Sequence, residues 1–327
     1  MRTISELISL IKTLPEQAID HLFEVASQHQ SAVHAALRPC PYCGSEHVIR
    51  YGKKCGKQRF LCKSCERTFV TTTHTIMSNS HQGISVWKDV IADTFEGVSI
   101  DRTAERLALS HQSVFDMRHK ILVALGDIED SVLGGVSELD ETYVLDSYKG
   151  KKLPENVTRP SRKHGAKAQK RGISNEYLCI CTGVQRSGKA VAVTVNRAKP
   201  TVQELEEAFE NRLDKGALLL CDGLRGYTKL GASANCAVKD INTAEAHEKN
   251  FYNLNLVNNF HSFLKDRYEA YRGVATKYLN QYNTLFSAAY RCTAQTISEC
   301  CNALLSVGRQ NLFHSIMDVK VAGLLDL

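Results

Sequence analysis

The chain has 327 residues, 43% of them hydrophobic, a net charge of +6 and a pI of about 8.6, which together predict two or three globular domains and permit nucleic acid as a partner without requiring it. No apolar run is long enough to span a bilayer, and the amphipathic N-terminal stretch, with Glu6, Glu16 and Asp20, argues against a secretory leader. Of the 12 cysteines, four form two Cys-x-x-Cys pairs and others, such as Cys179, Cys181 and Cys221, sit in apolar strands, so a reduced, cytoplasmic compartment with one metal knot is expected rather than a disulfide framework.

Residues 1–36 read as an N-terminal helical segment, because Leu7, Ile8, Ile11, Leu14, Ile19, Leu22 and Phe23 approximate a 3.6-residue period. Residues 37–75 read as a zinc ribbon. Cys40 and Cys43 are followed, after 18 intervening residues, by Cys62 and Cys65, a spacing that supplies four thiolates for tetrahedral zinc. Between the pairs, 48–52 and 58–61 read as hairpin strands, and 68–70 as a third. Four thiolates leave no open position for water, so this Zn²⁺ is expected to be structural. Cys55, at the hairpin tip, is not expected to be a ligand. Arg50, Lys53, Lys54, Lys57, Arg59, Lys63 and Arg67 could neutralise phosphates, or form a solvated surface.

Residues 76–130 read as helical. The stretch 99–115 resembles a helix-turn-helix, with Ser110 capping the second helix and His111, Gln112, Ser113 and Arg118 offered to a DNA groove. A plain helical hairpin fits it equally. Trp87 is expected in the core.

From Gly135 the pattern turns strand-rich. Strands are predicted at 136–145, 176–184 and 189–196, then a helix at 201–213, a strand at 217–222, a short helix near 224–231, a strand at 236–241 and a long helix from about 256. Ser187-Gly188 makes a hairpin turn, while the later strands need crossovers and so lie parallel to their neighbours. This β-β-β-α-β-α-β-α order predicts an α/β ribonuclease-H-like domain with a mixed five-stranded sheet over 133–312, followed by a tail at 313–327. The first and fourth strands are then adjacent, so Asp140 and Asp222 can face each other. A carboxylate at the end of a buried strand is costly unless it binds a cation or finds donors, and two together suit paired-metal phosphodiester chemistry.

A third ligand is expected from the residues after the last strand. Asn258 lies seven residues before Lys265, two helical turns, so the two share a face that could offer an amide oxygen to metal and an ammonium to phosphate. His247, Glu248 and His261 are rivals or outer partners. Glu141 is expected to point away from Asp140 by strand alternation. The segment 149–171, with nine basic residues (Lys149, Lys151, Lys152, Arg159, Arg162, Lys163, Lys167, Lys170 and Arg171) against Glu155 alone, is expected to track a DNA backbone, or else to be a solvated linker.

Together, Cys40 to Phe69, Glu138 to Tyr143, Cys221-Asp222-Gly223 with Tyr227, Val257 to Lys265, and Arg272 to Leu279 resemble the zinc-ribbon DDE transposases of bacterial insertion sequences, within them the group whose third acidic position is often Asn. The resemblance spans nearly the whole chain. It implies that Asp140, Asp222 and Asn258 are catalytic and hold Mg²⁺ or Mn²⁺, with Lys265 contacting DNA. It further implies double-stranded DNA ends and target as partners, a homo-oligomer on two ends, a nucleoid-associated bacterial protein, and cleavage of element ends followed by attack of the freed 3′-hydroxyl on target. Two other readings stay open: a non-catalytic DNA-binding regulator, and a metal-dependent nuclease that only hydrolyses.

Overall fold

A computed structural model describes residues 39–54, 56–128, 131–150, 152–153, 167–223, 225–241, 251–271, 273–290 and 294–306, with Pro15 and Ala18. The N-terminal helical segment, Cys55, His247, Glu248 and the C-terminal tail lie outside the described residues. The described residues fall into two compact units, one up to Ser80 and one from His81.

In the first unit, β1 (Val48–Lys54), β2 (Lys57–Cys62) and β3 (Thr68–Val70) form an antiparallel sheet in the order β1-β2-β3. Its core is small: Phe60 stacks on Phe69 at 5.6 Å between ring centres, and buried Cys40 and Cys62 complete it. So few apolar residues are too small a core to hold a fold without a further staple.

The second unit opens with three helices, α1 (Ile84–Glu96), α2 (Ile100–Arg106) and α3 (His111–Ile128). The Ser99 hydroxyl caps α2, accepting from Arg102 N–H, and Ser110 caps α3, accepting from Ser113 N–H at 3.1 Å. His111 and Gln112 are exposed. Arg118 is not available to a groove as expected: it is 1% exposed and donates to the Val98 carbonyl at 2.8 Å. It lies four residues after buried Val114 and three before buried Ile121, on the inward face of α3. Trp87 is fully buried.

The sheet follows: β4 (Val136–Leu145), β5 (Tyr177–Gln185), β6 (Ala190–Arg197), α4 (Val202–Phe209), β7 (Leu218–Cys221), α5 (Arg225–Ser233), β8 (Ala237–Asp240) and α6 (Asn255–Ala270), then α7 (Leu279–Ala289) and α8 (Ala294–Ser306). The strand order is β6-β5-β4-β7-β8. β4, β5 and β6 pair antiparallel, with Gly188 at φ +110 in the β5–β6 turn. β4–β7 and β7–β8 are parallel. This is the ribonuclease-H-like arrangement expected from the sequence. The helix after β6 stops at Phe209 rather than 213, because Leu213 leaves it to bridge Leu133. A capping box between Thr201 and Glu204 starts α4. α4 and α5 cover one face, where Leu139, Cys181, Phe209, Cys221 and Tyr227 share a core. α6 and α7 cover the other, α7 against β6 and α6 against β4 and β5. Among the described residues, no helix is long and apolar enough to cross a membrane.

Candidate active site

β4 and β7 pair only over Val136–Glu138 and Leu218–Leu220. Two residues beyond the last pair stand Asp140 on one strand and Asp222 on the other, where the strands part. Gly223 turns the chain immediately after Asp222 at φ +78, a conformation that favours glycine. Ligand oxygens of Asp140, Glu141 and Asp222 all lie within 4.8 Å of one another. They line a cleft of about 380 Å³ shared with Tyr143 and Lys199.

Glu141 is therefore a member of this cluster, contrary to the expectation from alternation. Its backbone does follow the rule: Leu139, two residues earlier, packs in the α4–α5 core. Beyond Glu138, however, no β7 residue pairs with β4 on that edge, and the longer Glu side chain reaches round it. Tyr227 of α5 lies fully buried beside Glu141. Neither the Tyr227 hydroxyl nor Glu141 Oε1 closes a well-formed hydrogen bond.

The electrostatics fit a cation site. Asp140 is pushed up to about 7, first by desolvation, then by Asp222 and Glu141, against a lowering by the Glu141 N–H and Lys265. Burial also raises Glu141, with Asp222 adding to it and Tyr227 opposing. Asp140 and Glu141 are thus both harder to ionise unaided than a free carboxyl.

α6 packs against β4 and β5 and brings His261 to Asp140. His261 Nδ1 lies 3.8 Å from Asp140 Oδ2, and desolvation followed by Lys265 lowers its pKa to about 4. Asn258 is half-buried in the first turn of α6, one turn before His261 and two before Lys265, so helical spacing sets the three along one face.

The anchoring of α6 was not legible in the sequence. Glu138, fully buried on β4, accepts from the N–H groups of Leu256 and Val257 at 2.8 and 3.1 Å. It thus caps the helix N-terminus, where a negative charge is favoured. Arg186 supports it from 3.4 Å. A strand that presents Asp140 to the cleft thereby holds the helix that presents His261 and Lys265.

In the ribbon, Cys40 and Cys65 Sγ are 3.6 Å apart, as are Cys43 and Cys62, and all four sulfurs lie within 4.8 Å of one another. Thiolates at about 2.3 Å from a tetrahedral ion would be about 3.8 Å apart, so the four residues fit one ion. Of the basic segment, Lys167, Lys170 and Arg171 are exposed, while Lys149 Nζ is engaged by the Tyr271 and Gly273 carbonyls at 3.4 and 3.0 Å.

Residues 132–293 match the ISXO2-like transposase domain. A protein of Halobacterium salinarum, described as an uncharacterized protein in transposable element ISH50, is 28% identical over 192 residues, which are 58% of this chain and 64% of that protein. The chain thus spans less than two thirds of that relative's length. Among solved structures, a pre-cleavage Mos1 transpososome is 10% identical over 63% of this chain and 74% of its own, with a TM-score of 0.22. The Mos1 mariner paired-end complex with Mn is 12% identical over 63% and 72%, with a TM-score of 0.27. At those scores the strand order, and not the overlay, identifies the fold. Residues 132–293 thus form a domain of the ISXO2-like transposase family, which supports an insertion-sequence transposase.

Proposed function

We propose that this protein cleaves the ends of an insertion sequence and joins the freed 3′-hydroxyl to target DNA. The observation that carries this reading is the meeting of Asp140, Glu141 and Asp222 within 4.8 Å, at the parting of the central parallel strands of a transposase-family domain. A divalent ion bound there, Mg²⁺ or Mn²⁺, would activate the attacking oxygen and stabilise the leaving one. Asp140 and Asp222 hold it, and Asn258 offers an amide oxygen from α6. Lys265, one helical turn beyond His261, binds a DNA phosphate at the cleft. Lys199, which lines the cleft, holds the strand leading away. No covalent intermediate on the protein is needed.

The four-cysteine ribbon carries Zn²⁺ and exposes Arg50, Lys53, Lys54, Lys57, Lys63 and Arg67, which suit contacts to DNA phosphates. Element ends and target, with more than one protomer on paired ends, are the partners this reading requires.

Purified protein, DNA carrying the element's own flanks and a supercoiled target plasmid separate the alternatives. In Mg²⁺ or Mn²⁺, covalent joining of labelled 3′ ends to the plasmid is expected, and its loss in Asp222→Asn. Cleaved ends without joining would indicate a nuclease. DNA binding with neither product would indicate a regulator.

A further inference from the structure

The ring of His261 is held in one tautomer by its neighbours. His261 is 7% exposed, and its Nε2 lies 2.7 Å from Thr182 Oγ1. The same hydroxyl lies 2.7 Å from the main-chain oxygen of Asp140, its cross-strand partner. A carbonyl oxygen only accepts, and a threonine hydroxyl has one proton to give. That proton goes to Asp140 O. The contact between Thr182 and His261 therefore uses a proton on the ring, so Nε2–H donates and Oγ1 accepts. In a neutral imidazole, Nδ1 is then a bare lone pair.

That lone pair faces Asp140 Oδ2 at 3.8 Å. The other carboxylate oxygen, Oδ1, is occupied by Glu141 N–H at 2.8 Å, which fixes the rotation of the Asp140 side chain. Two acceptors are thus pointed at each other by three hydrogen bonds, too far apart to bond directly. Two ligand atoms each about 2.1 Å from one ion and spread by about 130° are about 3.8 Å apart.

We propose that His261, through Nδ1, is a nitrogen ligand of the cation held by Asp140, with Thr182 as the residue that positions it. This rests on reading Asp140 as a metal ligand; His261 meets Asp140 alone, outside the Asp140–Glu141–Asp222 cluster, so the cation it ligates sits on the α6 side of Asp140. Imidazole favours first-row transition ions over Mg²⁺, so the site prefers Mn²⁺ more strongly than carboxylates and an amide alone would make it.

The test is Mn²⁺ bound to the full-length, zinc-loaded protein, read by electron paramagnetic resonance. Titration of the free-ion signal counts bound Mn²⁺, and spin-echo modulation detects a directly coupled nitrogen. Wild type is expected to bind Mn²⁺ in a site lost in Asp140→Asn, with a ¹⁴N modulation that changes to the ¹⁵N pattern when histidine alone is labelled. In His261→Gln, whose amide can still donate to Thr182, the modulation disappears and Mn²⁺ affinity falls more than Mg²⁺ affinity. In Thr182→Val the ring is released and Mn²⁺ affinity falls by about tenfold or more, as for the loss of other groups that orient a ligand. Mn²⁺ that requires Asp140 but shows no histidine nitrogen would overturn the role of His261 and leave the metal site standing. Absence of any Asp140-dependent Mn²⁺ would overturn both.

Discussion

Replacing Asp140 by Asn is expected to stabilise the metal-free protein above neutral pH, although it removes a central carboxylate of the cleft. Asp140 is moved from 3.8 to about 7, first by desolvation and then by Asp222 and Glu141. At about 1.4 kcal/mol per tenfold change in proton affinity, ionising it in the folded state costs about 4 kcal/mol. Below pH 4 the carboxyl is largely neutral in both states and the penalty is small. Between pH 4 and pH 7 the unfolded chain releases its proton while the folded chain keeps it, so this contribution to stability falls as pH rises. Above pH 7 the penalty approaches its full size. Asn carries no charge, its Oδ1 can keep the bond from Glu141 N–H, and its amide can donate toward His261 Nδ1. Asp140→Asn should therefore change stability little at pH 4 and add about 2–4 kcal/mol at pH 8, after allowance for relaxation around the charge. Divalent metal should narrow or reverse the difference, because it stabilises only the protein that binds it. Urea unfolding can be followed by the fluorescence of Trp87, the single tryptophan, which is fully buried in the unit that begins at His81. Buffers stripped of free divalent ions isolate the metal-free protein. Equal stability at pH 8, or a difference that does not vary between pH 4 and pH 8, would refute the reasoning.

Three further outcomes are expected. Glu138→Ala strands two helix N–H groups and should destabilise by about 2–4 kcal/mol, whereas Glu138→Gln keeps an acceptor and should cost about 1–2 kcal/mol; hydrogen exchange at the Val257 amide should accelerate in both, and an unchanged rate would contradict the capping role. Stripping zinc with a chelator, or Cys62→Ser, should unfold the ribbon, whose apolar core is too small to stand alone, while Trp87 fluorescence stays native; a ribbon that keeps its amide dispersion without metal would count against a structural ion. Changing Lys167, Lys170 and Arg171 to Gln should lower the salt dependence of DNA binding, by about 0.9 in the log–log slope for each phosphate no longer neutralised, and an unaltered slope would leave the segment as a solvated linker.

The sheet was legible because β5 to β7 are largely apolar runs closed by turn residues, and because the crossovers leave few ways to order the strands. β4 spans Val136–Leu145, the boundaries expected from its pattern, and the later strands end within a residue or two of expectation. Asp222 was legible because a carboxylate closing an apolar strand needs a partner, and Asp140 because the adjacency expected of the first and fourth strands brings it alongside. Glu141 was misread because alternation describes where Cβ points and not how far a long side chain can reach past an unpaired edge. Arg118 was misread as a groove contact, although its spacing from Val114 and Ile121 already put it on the buried face. Neither Thr182 beside His261 nor Glu138 at the start of α6 could be read. Both contacts join residues 79 or more apart in sequence, and no local pattern encodes them.

The most direct test of the central claim is insertion in cells. The gene is placed beside a marker flanked by its native surrounding DNA, and junctions are sequenced for wild type, Asp140→Ala and Asp222→Ala. Insertion by wild type, with defined element ends, and its loss in both variants is the predicted result. Insertion that persists at the wild-type frequency without either carboxylate would contradict it.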